Sequence, residues 1–234
     1  PRQPLQAAPR LAGIALEGVL RRLTSRQPSG SFDDLPIRFR AVATDAATGE
    51  MVVLGKGSLA QTVRASMAVP AVISPVEIDG RLLVDGGMSR NLPVDIAREL
   101  GADVIIAVNI GTPLLRRDEL RSVLSMSDQV MRMLAAANLR VSLKELRAGD
   151  VLITPQLGEL RAANFDQLER AIAVGEEAGN AAAGKLSALA LAPADYAAWL
   201  ARSVNAGPAC CDVVSEVRIE GASHVSEPAL LAMM

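Results

Sequence analysis

VISPVEIDGRLLVDGGMSRNLPVDIARELGADVIIAVNI, residues 72–110, is the stretch on which the fold turns. Asp79-Gly80 separates two apolar runs, 72–78 and 81–84, and Asp-Gly between such runs is a strong signal for a two-residue hairpin turn. The second run, RLLV, leads straight into Asp85-Gly86-Gly87. Pro93 stands where the first helical turn tolerates proline, VDIAREL follows, and Gly101 takes the C′ position past its end. Residues 103–110 (DVIIAVNI) form a nearly unbroken apolar, largely β-branched run. That pattern predicts a strand buried on both faces, in a parallel sheet covered by helices.

Upstream, 11–23 (LAGIALEGVLRRL) has helical apolar spacing, and the polar stretch Thr24 to Asp34 reads as a loop. Residues 37–44 (IRFRAVAT) alternate and then run apolar, a strand becoming buried; after the turn Ala47-Thr48-Gly49, residues 51–54 (MVVL) return as a second strand. Residues 58–68 read as a helix with Ser58 at its N-cap, and Pro70 lies just past its end. Downstream, 119–147 is helical, 151–154 (VLIT) is a short strand closed by Pro155, and 165–189 and 193–204 are helical again. Alternating strands and helices predict a three-layer α/β domain with a mostly parallel central sheet.

The 234 residues suffice for one such domain and part of another. Half are hydrophobic, so the composition is globular, and with 2% aromatics the core is built from Ala, Val, Leu and Ile. A net charge of −2 offers no basic surplus for nucleic acid. Cys210 and Cys211 are adjacent, and with the single His224 they give no metal-ligand spacing. No cofactor motif occurs. The chain opens Pro1-Arg2-Gln3, with neither initiator methionine nor signal peptide, and closes in an apolar helical run without a cap, so both ends read as cut.

Asp85 is the candidate that carries chemistry. It ends a strand, where functional residues of open α/β sheets gather, and the two glycines after it allow a tight or positive-φ backbone and leave its carboxylate unobstructed. The triplet alone also fits a plain turn. The wider context favours the site. Phe39 to Asp45 with Thr48-Gly49, Arg64 to Pro70, Pro75 to Gly80, Val84 to Gly87, Asn91 to Val94 and Leu100 to Asp103 follow one another in a fixed order and spacing. In that order they resemble the second half of the patatin-like phospholipase domain, densely over 36–112 and more loosely over 1–35 and 113–205.

The resemblance implies a serine–aspartate dyad that hydrolyses lipid or phospholipid acyl esters at a membrane surface, with no metal. The family's Asp-Gly-Gly/Ala motif maps onto Asp85, Gly86 and Gly87. Its serine lies in a Gly-x-Ser-x-Gly elbow and a glycine-rich loop forms the oxyanion hole, both upstream of the matched region. Neither motif occurs in the 234 residues: Gly55-Lys56-Gly57-Ser58 has the wrong spacing, and Ser223 has Val225 after it instead of glycine. The chain alone is therefore expected to be inactive. A triad needs a histidine beside the nucleophile, and His224 lies beyond Gly207-Pro208, a plausible domain break, so a dyad suits the sequence better.

The remaining candidates read as structural. Asp45 and Asp79 fit turns, Asp95 a helix start and Asp103 a strand start; Ser66 lies in a helix without an elbow; Met126, Met131 and Met133 read as core fillers, although soft side chains would suit acyl chains. Residues 213–234, beginning VVSEVRIEG, resemble the start of a POTRA domain, with an extra edge strand and helix of the first domain as the alternative. Patatin-like domains followed by POTRA and an outer-membrane β-barrel form a bacterial arrangement. That implies domains at 1–207 and 213–234 and an exported parent at the outer membrane or cell surface; a cytoplasmic parent is the alternative. Two other functions compete with the acyl hydrolase: a non-catalytic regulatory or interaction domain, and a small-molecule-binding α/β domain without acyl chemistry.

Overall fold

The computed structural model of the chain describes residues 7–24, 30–70, 72–158, 160 and 165–205. In chain order its elements are α1 (Ala7–Thr24), β1 (Gly30–Ser31), β2 (Ala41–Asp45), β3 (Met51–Leu54), β4 (Lys56–Gly57), α2 (Leu59–Ser66), β5 (Val76–Ile78), β6 (Arg81–Asp85), α3 (Gly87–Arg90) and α4 (Val94–Glu99), followed by β7 (Ile106–Val108), α5 (Val123–Lys144), β8 (Val151–Ile153), α6 (Leu168–Ala181), α7 (Ala183–Ser187) and α8 (Pro193–Asn205). The POTRA-like stretch 213–234, Cys210, Cys211 and His224 lie outside the described residues.

Local chemistry sets most boundaries. Ser58 caps α2 by accepting a hydrogen bond from the Gln61 amide. The β5–β6 hairpin turns on Asp79 (φ 52°) and Gly80 (φ 73°), both left-handed as a type I′ turn requires, with Ile78 opposite Arg81. Gly101, at φ 92°, follows the end of α4 as its C′ glycine.

The largest sheet has the order β3-β2-β6-β5, and every neighbouring pair in it is antiparallel. This corrects the expectation of a mostly parallel central sheet. β2–β3 and β5–β6 are joined by tight turns, and a turn that short can only reverse a strand. Parallel pairing needs a long crossover, and among the described residues only β7–β8, linked through α5, is paired that way. β2 is central and buried along its whole length, with α2 and α3 packed on it. Ala41, Ala43, Leu54, Ala65, Val76 and Leu83 form the core of this half.

The second core gathers Leu92, Val94, Ile105 and Ala107 beneath Leu139, Leu143 and Leu146. Here too the sequence expectation is corrected. Residues 103–110 are not buried on both faces: Ile105 and Ala107 are buried, while Val104, Ile106, Val108 and Ile110 are 41%, 51%, 47% and 63% exposed. An uninterrupted apolar run carries no period, so one covered face and two read alike in sequence. Asp150 ties this half together. Its carboxylate accepts from the Arg147 amide (2.7 Å) and the Ile105 amide (2.9 Å) and pairs with Arg98 (2.6 Å), and the side chain is only 2% exposed. The Arg147 and Ile105 amides, aided by Arg98, hold the Asp150 carboxyl down at about 2.

Candidate functional site

Asp85 ends β6 opposite Ala43 of β2, and its backbone is pinned from both sides. Its N–H donates to Ala68 O just beyond α2 (3.0 Å), and its carbonyl accepts from Thr44 Oγ1 (2.9 Å). The chain then bends over β2. Gly86 has ordinary helical angles (φ −67°, ψ −23°), so a positive φ is not what selects glycine here, contrary to one reason the sequence suggested. Contact selects it: a Cβ on Gly86 would lie 2.1 Å from the carbonyl oxygen of Val42. A Cβ on Gly87 would lie 2.8 Å from Asp85 Oδ1 and 2.9 Å from Asn91 Oδ1. The first glycine lets the turn lie on the strand, and the second leaves room for the carboxylate.

That room is used. Asp85 Oδ1 accepts a 2.7 Å hydrogen bond from the Gly87 amide. Among the described residues no hydrogen bond reaches Oδ2 and no cation pairs with the carboxylate. Burial pushes the Asp85 carboxyl above the ordinary aspartate value, and the Gly87 amide pulls it part of the way back. The result is a half-buried carboxyl with one oxygen tethered and the other open.

Two clefts meet at this carboxyl. One, of about 440 Å³, is walled by Phe39, Val42, Val63, Ser66, Met67 and Arg90. The other, of about 280 Å³, is walled by Val69, Pro70, Met88, Ile110, Met131 and Arg132. Asp85, Gly87 and Asn91 line both. The first cleft adjoins a shallow apolar groove over Leu35, Ile37 and Leu59, because Phe39 and Val63 wall both. Arg40 pairs with Asp33 and Arg90 with Asp95, so the nearby cations are already compensated.

Among the sequence candidates, Asp85, Gly86 and Gly87 come together as one unit. Ser66 reaches the wall of the larger cleft, but its hydroxyl donates to Val42 O (2.7 Å) and makes no hydrogen bond to Asp85. Asp45 closes a turn by accepting from the Ala47 amide, and Asp79 sits in the hairpin turn. Met131 lines the smaller cleft, whereas Met126 and Met133 are about half exposed and fill no core. Sequence reasoning missed Thr44, Ser89 and Asn138. Thr44 Oγ1 and Ser89 Oγ lie 2.8 Å apart beneath the turn. Asn138 of α5 bonds the backbone of α3, and its only mark in the sequence is a polar side chain inside the apolar run LAAANL.

Among the described residues no cluster of three or more His, Cys, Asp or Glu side chains could hold a metal ion. None of the described helices is long and apolar enough to cross a membrane.

Residues 13–98, which include the Asp85-Gly86-Gly87 turn, match the family model described as patatin-like phospholipase. Eighty residues are 45% identical to an uncharacterized NTE family protein of Mycobacterium tuberculosis, covering 34% of this chain and 22% of that protein. Over 89 residues the chain is 43% identical to patatin-like phospholipase domain-containing protein 7 of Mus musculus, covering 37% of this chain and 6% of that protein. A longer alignment, 171 residues at 29% identity, covers 64% of this chain and 29% of a second uncharacterized NTE family protein of M. tuberculosis. The chain thus spans less than a third of the length of each of these relatives.

Proposed function

We propose that this chain supplies the aspartate half of a serine-dependent lipid acyl hydrolase, with Asp85 as the general base. The observation that carries it is the Asp85 carboxyl itself: unpaired with any cation among the described residues, bonded through Oδ1 to Gly87, and open at Oδ2 where two clefts meet. Oδ2 would take the proton of a serine hydroxyl as that oxygen attacks the ester carbonyl. The alcohol leaves with a proton, and water then releases the acyl group by the same base. A base strengthened by burial suits this task, because a carboxylate of ordinary acidity draws weakly on a hydroxyl proton.

No Gly-x-Ser-x-Gly elbow or run of three glycines occurs in the 234 residues. The serine and the oxyanion donors are therefore assigned to sequence outside them, and these residues alone are inactive toward esters. Acyl lipid finds apolar walls here: Phe39, Val42, Val63 and Met67 line the larger cleft and Val69, Met88, Ile110 and Met131 the smaller, among polar neighbours, and the larger opens onto the apolar groove at Ile37. The POTRA-like reading of 213–234, with an exported parent, extends the same proposal.

The test compares turnover of a short-chain ester and a phospholipid by the full-length parent and its Asp85→Asn variant. An amide cannot accept the serine proton, so turnover falls on the order of 100-fold or more while circular dichroism is unchanged. Wild-type turnover in a folded Asp85→Asn variant would remove Asp85 from the mechanism. Ester hydrolysis by the 234 residues alone, blocked by a serine reagent, would show that they contain the nucleophile.

A further inference from the structure

We propose that the Asn91 side-chain amide holds the leaving oxygen of the ester beside Asp85, through a hydrogen bond donated by its Nδ2; the proposal rests on Asp85 being the base argued above. Asn91 lines both clefts, as do Asp85 and Gly87. A Cβ on Gly87 would stand 2.9 Å from Asn91 Oδ1 and 2.8 Å from Asp85 Oδ1, so amide and carboxylate flank one point at the junction. Asn91 Nδ2 lies toward Gly111, 3.9 Å from where a Cβ there would stand, on the wall of the smaller cleft.

The backbone of Asn91 is fixed and its side chain is free. Its N–H donates to Asn138 Oδ1 (2.9 Å), and Leu92 after it is buried in the second core. The side chain itself makes no hydrogen bond among the described residues. The buried side-chain atoms without a partner there are Arg64 Nε, Asp95 Oδ1, Ser142 Oγ and Glu145 Oε2. The Asn91 amide is not one of them, so it opens on the clefts instead of being sealed in the fold. Other donors nearby are engaged: the Ser66 hydroxyl donates to Val42 O, and Arg40, Arg90 and Arg132 are each paired with an aspartate. Asn91 is left as the neutral donor that reaches both clefts.

An ester needs such a donor here. Its oxygens only accept hydrogen bonds, and so does an ionised carboxylate, so an ester oxygen beside Asp85 Oδ2 meets repulsion unless an N–H stands with them. In acylation the serine oxygen bonds to the ester carbon and its proton passes to Asp85. The bond from that carbon to the alcohol oxygen breaks, and Asp85 returns the proton to this oxygen. The leaving oxygen must therefore stand within reach of Asp85. It gains negative charge as the bond breaks, so a hydrogen bond from Asn91 strengthens toward the transition state. The help matters most for a weakly acidic alcohol and least for p-nitrophenol, which leaves as an anion unaided.

The test compares kcat/KM of the full-length parent on ethyl butyrate and on p-nitrophenyl butyrate, which share an acyl group and differ in the leaving group. In Asn91→Ala, kcat/KM on ethyl butyrate should fall on the order of 10-fold, as the loss of one hydrogen bond allows, and much less on p-nitrophenyl butyrate. Asn91→Leu, with a similar branched outline and no polar atom, should show the same selective loss. Both variants keep the backbone N–H that binds Asn138, so circular dichroism should be unchanged. A merely structural role would slow both esters alike. Equal losses on the two esters, no loss on either, or failure of both variants to fold overturns the proposal. Asp85→Asn, run alongside, separates the two readings. Full turnover in Asp85→Asn would retire the general base, whereas an unselective Asn91→Ala beside an inactive Asp85→Asn would retire Asn91 alone.

Discussion

The backbone of Gly86 lies so close to Val42 that a Cβ on Gly86 would sit 2.1 Å from the Val42 carbonyl oxygen and 2.6 Å from its carbon. Both partners of this contact are backbone, and Val42 belongs to the buried central strand, so neither can swing aside as a side-chain tip could. The turn that carries Asp85 is thereby seated on β2.

Gly86→Ala should therefore lift the turn or push the strand. Its cost is expected at the upper end of the roughly 1–3 kcal/mol typical of overpacking. Urea unfolding checks it, with Gly49→Ala, at a positive φ of 76° but in open space, as the milder comparison. A Gly86→Ala variant as stable as the wild type would mean that the turn does not lie on Val42.

The elements legible in sequence are those whose cause is local. Ser58 announces α2, Asp79-Gly80 announces the hairpin, and Gly101 ends α4, because each acts within a few residues of itself. Asp85-Gly86-Gly87 was legible as a motif, and so was the room that Gly87 leaves for the carboxylate; the reason for Gly86 was not, because it is a contact with a strand far back in the chain. Asn138 was hidden for the same reason: its partners in α3 are some fifty positions away. The direction of the sheet was not legible, because the β-branched run at 103–110 belongs to the parallel pair β7–β8, whereas the strands that position Asp85 are antiparallel neighbours.

The open face of β7 gives a second expectation. Ile106 and Val108 are each about half exposed, so Ile106→Ser and Val108→Ser should change the stability of the 234-residue chain by no more than about 0.5 kcal/mol each. Ala107, 3% exposed on the opposite face, should tolerate serine far less well. Chemical denaturation of the three variants decides it. A loss of about 1.5–3 kcal/mol at Ile106 would place that side chain in a closed interior instead.

Asp150 predicts acid sensitivity in the second core. Two amides and Arg98 hold its carboxyl at about 2, below the 3.8 of a free aspartate. The folded value is depressed, so the stability it contributes is present above about 4 and is lost as the pH falls through the folded value near 2. Asp150→Asn should lower the urea midpoint at neutral pH, and the two proteins should converge as the pH approaches 2. A difference that stays constant down to pH 2 would mean that Asp150 acts through packing and not through its charge.

Asp85 predicts the opposite sign. Its carboxyl is raised by burial, with only the Gly87 amide opposing, so ionisation is less favourable in the folded chain than in the unfolded one. A group of this kind contributes stability that is fully present below the unfolded value of 3.8 and is lost as the pH rises through the folded value. At neutral pH the wild-type chain therefore carries a penalty that an amide does not. Asparagine keeps an oxygen for the Gly87 N–H and needs no ionisation, so Asp85→Asn should be at least as stable as the wild type at pH 7. The advantage should shrink as the pH falls toward about 4, where the wild-type carboxyl is increasingly protonated. Urea midpoints of the two proteins at pH 7 and pH 4 make the comparison, and they do so in the 234-residue chain without any assay of turnover. A residue kept for packing behaves otherwise, since its replacement costs stability at every pH. If Asp85→Asn is clearly less stable than the wild type at pH 7, the carboxylate stabilises the fold, and its place where the two clefts meet has a structural cause.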